Sequence, residues 1–420
     1  MAGQVQLLAS GPQDRFFTID PDYSYFVKNF KKHSNFSIDF IDIDPSNEAD
    51  FGKKVRFKIP QNQGDLLKTV SVKMTLPEII ETSGTLYIES VAHALIERVD
   101  LIVGDQVIQS ITSDYLQIYS EHNYTQSKQY ALEKLIGKYP LRTSNKRVGE
   151  VVENSGIIIH NTLGLNTDEE FFVDIPFYFY RHPELAIPLC AITKQEIEVE
   201  FTLRNAQDLV LGIDGTSRNL EETLKLKNFQ LCTEVVFLDP IERIKVMNTR
   251  TDFIVTQIQQ NTFRVDADVN ESLLRLRFVH PVKELYFVIQ REGATIFDYD
   301  NPNDFIGQSF SLYENLKQLT LTLDGEPIID GDVGTVPFLK AVQGAIHHSK
   351  TQLIRRFYSY SFALQPEEWY PTGQINFSFV KDQILKLSLT TCPNKMREVR
   401  VYALSYNILR LQEGTVELLF

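Results

Sequence analysis

Apolar and polar residues alternate with a period of two along most of this chain, the pattern of strands with one face buried and one wet. In the first half residues 54–59, 69–76, 99–103, 171–180, 196–203 and 233–238 read as strands. In the second half 273–279, 285–290, 319–323, 353–364, 375–379, 384–389 and 399–411 do the same. Helical spacing is confined to 113–119, 130–136 and a turn at 240–247 behind Asp239, and these pieces read as loop decorations.

One pattern recurs at long range. VDLIVGDQVI at 99–108 and LTLTLDGEPI at 319–328 are both an alternating strand, a two-residue turn containing glycine, and a return strand. Each is preceded by a similar pair, VRFKIP with TVSVKMTL in one half and LRLRFVHP with ELYFVIQ in the other, and followed by EIEVEFTL or ILKLSL. A period of roughly 200 residues is too long for a solenoid or propeller and indicates two tandem copies of one domain. The expected fold is therefore all-β, two tandem eight-stranded jelly-roll β-sandwiches, a double jelly roll. The expected bounds are an extended N-terminal arm at 1–24, a first jelly roll at 25–238 and a second at 239–420. An immunoglobulin-type sandwich fits less well, because its disulfide and strand spacing are missing.

Composition supports two β cores: the 420 residues are 43% hydrophobic and 23% charged, with 28 Phe and 18 Tyr. A net charge of −13 argues against a sheath of Lys and Arg around nucleic acid, so no direct nucleic-acid binding is expected. Three cysteines, Cys190, Cys232 and Cys392, are odd in number and far apart, which suits a reducing compartment better than a disulfide framework. The N-terminus lacks the basic start and apolar run of a secretory signal, and no stretch reaches 18 apolar residues.

Jelly rolls also serve metal-dependent and glycan-directed proteins, so the chemistry-bearing residues need weighing. His33, His93, His122, His160, His182 and His280 are scattered singly; only His347 and His348 adjoin, and strand neighbours face opposite ways, which suits one metal poorly. The paired acids Glu169/Glu170, Glu221/Glu222 and Glu367/Glu368 read as solvated charge, and no nucleophile elbow, phosphate loop or HExxH run occurs. No catalytic residue, metal or cofactor is therefore expected. The basic run at 28–32 beside His33 suits anionic lipid, an acidic partner or an intersubunit ion pair. Lys53, Lys54, Arg56 and Lys58 around Val55 and Phe57 read as the wet face of a strand. Asn35, Asn123, Asn270 and Asn376 begin Asn-x-Ser/Thr sequons but are expected to stay bare, Asn35 and Asn376 because they fall inside expected strands. Gly104 and Gly325 suit tight hairpins, Pro77, Pro176, Pro188 and Pro371 suit strand ends, and Trp369 with Tyr370 suits either a subunit contact or packing on its own sandwich.

Eight ordered segments carry a family resemblance. They are FVKNFKKHSNFSID (26–39), FGKKVRFKIPQNQGDLL (51–67), ALIERVDLIVGDQVI (94–108), FFVDIPFYFYRHPELAIPLCAITKQEIEVEFTL (171–203), VVFLDPIERIKV (235–246), LRLRFVHPVKELYFVI (274–289), YSYSFALQPEEWYPTGQINFSFVKDQILKLSL (358–389) and VRVYALSYNILRL (399–411). In these the chain resembles the major capsid protein family of the nucleocytoplasmic large DNA viruses, most specifically at the FLDxxER run of 237–243 and the SFAL and PTGxxNFS segments of 361–378. The resemblance implies a homotrimer of pseudo-sixfold outline that tiles icosahedral faces beside neighbouring capsomers. It further implies minor capsid proteins beneath the shell and an internal viral membrane; the arm at 1–24 is the expected point of contact with the minor proteins, and the expected location is the virion after synthesis and assembly in the host cytoplasm. A scaffold, minor capsid or vertex protein of the same viruses is the alternative. Family loops are often long at the outer end; the spacers 205–222 and 330–350 are short here, so low towers are expected, and the polar 119–168 spacer is the expected exposed, partner-facing or antigenic loop.

Overall fold

The computed structural model describes residues 2–27, 32–79, 85–124, 126–138, 167–212, 224–294, 296–297, 316–348, 357–390 and 395–420. Residues 1–36 and 37–420 are two separate compact units. In the first, the expected extended arm is instead two short helices, α1 (Ala2–Leu8) and α2 (Pro12–Thr18). The second helix starts where it does for local reasons: Pro12 has its φ pre-set for a first turn, and the Asp14 carboxylate accepts the Gly11 N–H at 2.8 Å.

The strands of the first half of the larger unit are β1 (Phe36–Ile43), β2 (Lys54–Lys58), β3 (Leu66–Leu76), β4 (Thr85–Tyr87), β5 (Ile96–Val103), β6 (Gln106–Thr112), β7 (Glu169–Asp174), β8 (Ile197–Leu203), β9 (Val210–Gly212) and β10 (Asn228–Leu238). Helices α3 (Val91–Leu95), α4 (Ser113–Asn123) and α5 (Gln126–Ile136) interrupt them, and α6 (Pro240–Asn248) leads into the second half. There the strands are β11 (Thr251–Val265), β12 (Glu271–Arg275), β13 (Pro281–Arg291), β14 (Leu316–Leu323), β15 (Glu326–Ile329), β16 (Phe357–Ser361), β17 (Ile375–Asn376), β18 (Gln383–Leu389), β19 (Arg397–Gln412) and β20 (Thr415–Leu418). A short helix, α7 (Gln343–His347), precedes β16.

The two halves share one topology. One sheet runs β1-β10-β3-β7 in the first half and β11-β19-β13-β16 in the second; the facing sheet runs β2-β8-β5-β6 and then β12-β18-β14-β15. The echoed hairpins are β5–β6 and β14–β15, and each carries a register shift at the same place, between Leu101 and Ile102 and between Leu321 and Thr322. Positive φ falls on Gly104 in one turn and on Asp324 and Gly325 in the other. The double jelly roll expected from the alternation is the observed fold.

Binary patterning explains the layers. On β2, Val55 and Phe57 are buried while Lys54, Arg56 and Lys58 are exposed. Phe57, Phe201 and Phe229 join the two sheets of the first sandwich, with ring centroids 5.7 Å apart for Phe57–Phe201 and 5.3 Å for Phe201–Phe229. Strand β7 stops at Asp174, short of the expected 180, where Pro176 cannot donate to the ladder. The expected strand at 375–379 is two residues of β17 followed by a 3-10 turn, whose Ser378 N–H is capped by Asn376. Strands β1 and β11 lie outside the segments read as strands, because much of their alternation is blurred by apolar residues on the outward positions. Among the described residues no helix is long and apolar enough to cross a membrane.

Phe201→Ala removes the ring that touches both neighbours, and should cost about 3–5 kcal/mol in chemical denaturation without altering the sheet content seen by circular dichroism.

Candidate functional site

The two sandwiches meet along a seam, and α4 is its centre. This helix was expected to be a loop decoration, yet nine of its eleven residues are buried. Thr112 caps it, its hydroxyl accepting the Tyr115 N–H at 3.5 Å. The reason for its burial lies in the second sandwich. Leu285, Phe287 and Ile289 of β13 and Val399, Val401 and Ala403 of β19 point into the second core, while Tyr286, Val288, Tyr402 and Leu404 belong to the cluster formed with the first sandwich. Large apolar side chains thus stand on both faces of these strands, so the outer face needs a cover.

Polar groups fix how the cover sits. Asp114 accepts from Arg400 Nε at 2.5 Å and from the Tyr402 hydroxyl at 2.6 Å; Arg400 also reaches Glu398 at 2.7 Å and Gln290 at 2.8 Å. Tyr115 lies against Tyr286, whose hydroxyl donates to Glu284 at 2.8 Å. His122 stacks on His348 with centroids 3.9 Å apart and touches Phe357 at 5.1 Å. His348 Nε2 donates to Glu284 at 2.6 Å, and its Nδ1 is 3.6 Å from Glu367, ion-pair range and too long for a hydrogen bond.

Further along, backbone is exchanged across the seam. Gln257 donates to the Ile108 carbonyl at 2.9 Å, Gln195 accepts the Val416 N–H at 2.6 Å, and the Thr193 and Lys194 N–H groups both donate to the Gly414 carbonyl at 3.1 Å. Gly414 has φ +83° in the β19–β20 turn, and a Cβ there would lie 2.4 Å from the Thr193 hydroxyl. Glycine is therefore required twice over, by its own backbone and by the approaching sandwich.

The buried histidines divide by charge. Burial lowers His93 to about 3 and holds His122 well below its ordinary value, with His348 adding to the second effect. Burial opposes the charge on His348 too, but Glu284 and Glu367 outweigh it and raise this imidazole to about 9. The stack thus pairs a neutral ring with a cationic one. The Tyr286 and Tyr402 phenols are pushed well above 10.0 by burial and by Glu284 or Asp114, so they remain donors.

The structure brings His122, His348, Glu284 and Glu367 together, of which sequence reading had noted His122, His348 and Glu367 apart and Glu284 only inside a strand. His347 and His348 sit at the end of α7 and not on a strand. Glu169 and Glu170 lie on β7; Glu221, Glu222, His160 and Cys392 fall outside the described residues, as do 28–31 of the basic run. Lys53 pairs locally with Glu48 at 2.7 Å, while Lys54 and Arg56 of β2 pair with Glu200 of β8 at 2.9 and 2.5 Å and Lys58 with Glu196 just ahead of β8, a cross-strand ion-pair ladder. Trp369 packs against the hydrophobic cluster built on the first sandwich and not against the core of its own, second sandwich. Asn35 precedes β1 rather than lying within a strand, Asn123 ends α4 and donates to the Tyr119 carbonyl, Asn270 is exposed before β12, and Asn376 is the last residue of β17. The spacer expected to be an exposed loop is folded as far as Lys138, which pairs with Glu121 of α4 at 2.5 Å; 139–166 fall outside the described residues.

Comparisons with known proteins bear on what such a paired sandwich is. Residues 24–239 match the family described as major capsid protein N-terminus, and 242–416 that described as large eukaryotic DNA virus major capsid protein. The chain is 27% identical to the major capsid protein of Pyramimonas orientalis virus over 425 residues, covering 98% of this chain and 97% of that one. It is 24% identical to the major capsid protein of Paramecium bursaria Chlorella virus 1, covering 99% and 98%. A quasi-atomic model of the PBCV-1 virus capsid superposes with a TM-score of 0.76 at 20% identity over 94% of this chain and 100% of that one. The Faustovirus major capsid protein does so with 0.72 at 11% identity over 96% and 94%, and these structures share the double jelly-roll fold.

Two outcomes are expected at the seam. The depressed His93 and His122 contribute stability that is complete above about 6.5 and is lost as pH falls, whereas the raised His348 contributes stability that is complete below 6.5 and is lost as pH rises through about 9. Denaturation midpoints should therefore peak near pH 6.5, and His348→Gln should abolish an alkaline decline on the order of 3 kcal/mol. Gly414→Ala should lower the melting temperature, and a melt unchanged within error would show that the turn tolerates displacement across the seam.

Proposed function

This chain belongs to the major capsid protein family of large eukaryotic DNA viruses, and from that premise we propose that it is the structural tile of an icosahedral capsid, assembling as a homotrimeric, pseudo-hexagonal capsomer. The observation that carries the reading is the duplication itself. Two sandwiches with the same strand order, held by a buried seam, make one chain two near-equivalent wedges, and three such chains give six similar edges. A tile of that outline packs hexagonally against neighbouring capsomers, and many weak rim contacts sum to a stable shell.

The proposed division is an arm at 1–24, a first jelly roll at 25–238 and a second at 239–420. The role is mechanical: no catalytic residue, metal or cofactor is assigned, and the buried His122–His348–Glu284 cluster serves the seam. Expression and assembly take place in the host cytoplasm, with the mature protein in the virion, above an internal membrane and away from direct contact with the genome. The four sequons Asn35, Asn123, Asn270 and Asn376 stay bare. The arm exposes Leu7, Leu8, Phe16 and Phe17, the last two at 90% and 86%, and apolar rings so bare in the isolated chain suit neighbouring capsomers or minor capsid proteins under the shell.

Light scattering with negative-stain imaging of the purified protein should give three times the chain mass and hexagonal outlines, whereas a single-chain mass across a range of salt would overturn the capsomer reading. Deletion of residues 1–24 should leave that trimer intact and impair assembly of the shell; normal shells from the deleted chain would remove the arm's assigned role.

A further inference from the structure

At the end of the seam where α4 begins, the two sandwiches leave a cavity of about 530 Å3 between them, a volume that suits a small ligand. One wall comes from the first sandwich, at the start of β5, the start of α4 and the residue after β8; the other comes from β11, the end of β13 and the start of β19. Six arginines line it: Arg98, Arg204, Arg264, Arg291, Arg397 and Arg400. The lining carboxylates are Glu97, Asp114, Glu292 and Glu398, so this one concave surface is rich in cations within a chain of net charge −13. A guanidinium stays charged at any pH the protein meets, and a cleft of this composition concentrates positive potential.

Ion pairs within the chain take up part of that charge. Arg98 is held by Asp100, and Arg400 by Asp114 and Glu398. With Asp100 included, five carboxylates stand against six guanidiniums. Arg204 is oriented by neutral oxygens, donating to the Ala94 carbonyl at 2.6 Å and the Ser113 hydroxyl at 2.8 Å, bonds that aim a guanidinium without discharging it. Arg397 is aimed in the same way by the carbonyls of Thr390 and, at 2.6 Å, Val269. It is the register partner of Arg291 across β13 and β19, and both are buried. Like charges directly opposite destabilise a sheet, and an anion in the cavity offsets that cost. Arg264 is exposed near the end of β11 and makes no ion pair among the described residues.

The placement of these groups selects the ligand. Arg98 and Arg204 belong to one wall, and Arg264 and Arg400 to the other. A carboxylate offers two oxygens in one plane, whereas a phosphate offers its oxygens tetrahedrally, so guanidinium forks on opposed walls can each take a pair. A single phosphate is small for the volume, and linked phosphates fill more of it. We propose that this cavity binds a compact anion with two or more linked phosphate groups, from free polyphosphate or from a nucleotide, and that the bound anion ties the two sandwiches together at this end of the seam.

Isothermal titration of the purified protein with sodium pyrophosphate, at fixed ionic strength, should show saturable binding of one anion per chain, with citrate, a multivalent carboxylate, binding on the order of tenfold more weakly. Arg264→Gln, at an exposed position, should keep the wild-type melting curve and weaken pyrophosphate binding on the order of tenfold. Arg264→Lys keeps the charge without the planar fork and should fall between the two. Arg277→Gln, the same change of charge at an exposed position outside the cavity, should leave the affinity unchanged. ADP separates the sources: binding tighter than that of pyrophosphate assigns the cavity to a nucleotide, and equal or weaker binding assigns it to free polyphosphate. The proposal is overturned by the absence of saturable binding of both pyrophosphate and ADP, by citrate binding as tightly as pyrophosphate, or by an affinity unchanged in Arg264→Gln. The capsomer reading stands in each of those cases.

Discussion

A strand with large apolar side chains on both faces cannot lie at a surface, and the arrangement of this molecule follows from two such strands. β13 and β19 send alternate residues into the second core and the others outward as Tyr286, Val288, Tyr402 and Leu404. Each large apolar side chain left in water forgoes roughly 1.5–3 kcal/mol, and a bare face of that size invites aggregation. The first sandwich supplies the cover by spending a helix on it. α4 is placed by the β5–β6 hairpin, capped by Thr112, and buried along nearly its whole length.

Apolar area alone does not fix an orientation, and the polar groups of the seam do. Asp114 of α4 has two donors from the second sandwich, Arg400 and Tyr402, while Glu284 is held within the second sandwich by Tyr286 and His348 and meets α4 through the His122–His348 stack. Buried charges that are paired and fully hydrogen-bonded add little net stability against an apolar alternative, but they penalise any displaced arrangement, because a slipped seam leaves a buried charge without its donor. The backbone bonds to Gly414 and Val416 restrain the opposite end. Together these contacts hold the two sandwiches in one compact unit.

Both sandwiches have the same strand order and even the same hairpin bulge, and they differ on their outer faces. The face closed within the chain carries Tyr286, Val288, Tyr402 and Leu404 among the polar and charged Glu284, Gln290, Glu398 and Arg400. The corresponding face of the first sandwich carries Thr69, Ser71, Lys73 and Thr75 on β3, and on β7 Phe172, which lies beside α4 and α5.

Period-two alternation, hairpin signals and the long-range echo determined the all-β class, the number of sandwiches and most strands, since each depends on residues close in sequence. The wet face of β2 was legible for the same reason, but its partners Glu196 and Glu200, 138 to 146 residues further along, were not. The seam was not. Asp114 and Arg400 are 286 residues apart and His122 and His348 are 226 apart, and nothing local to either partner announces the other. One trace was present: VKELYFVIQ lacks the alternation of TVSVKMTL, and an antiparallel strand without alternation has both faces buried. The sequence by itself thus determined which faces needed covering. Only the tertiary structure decided what covered them, because that choice depends on how a helix between β6 and β7 meets a sheet formed after residue 250, a matter of three-dimensional fit that no spacing along the chain encodes.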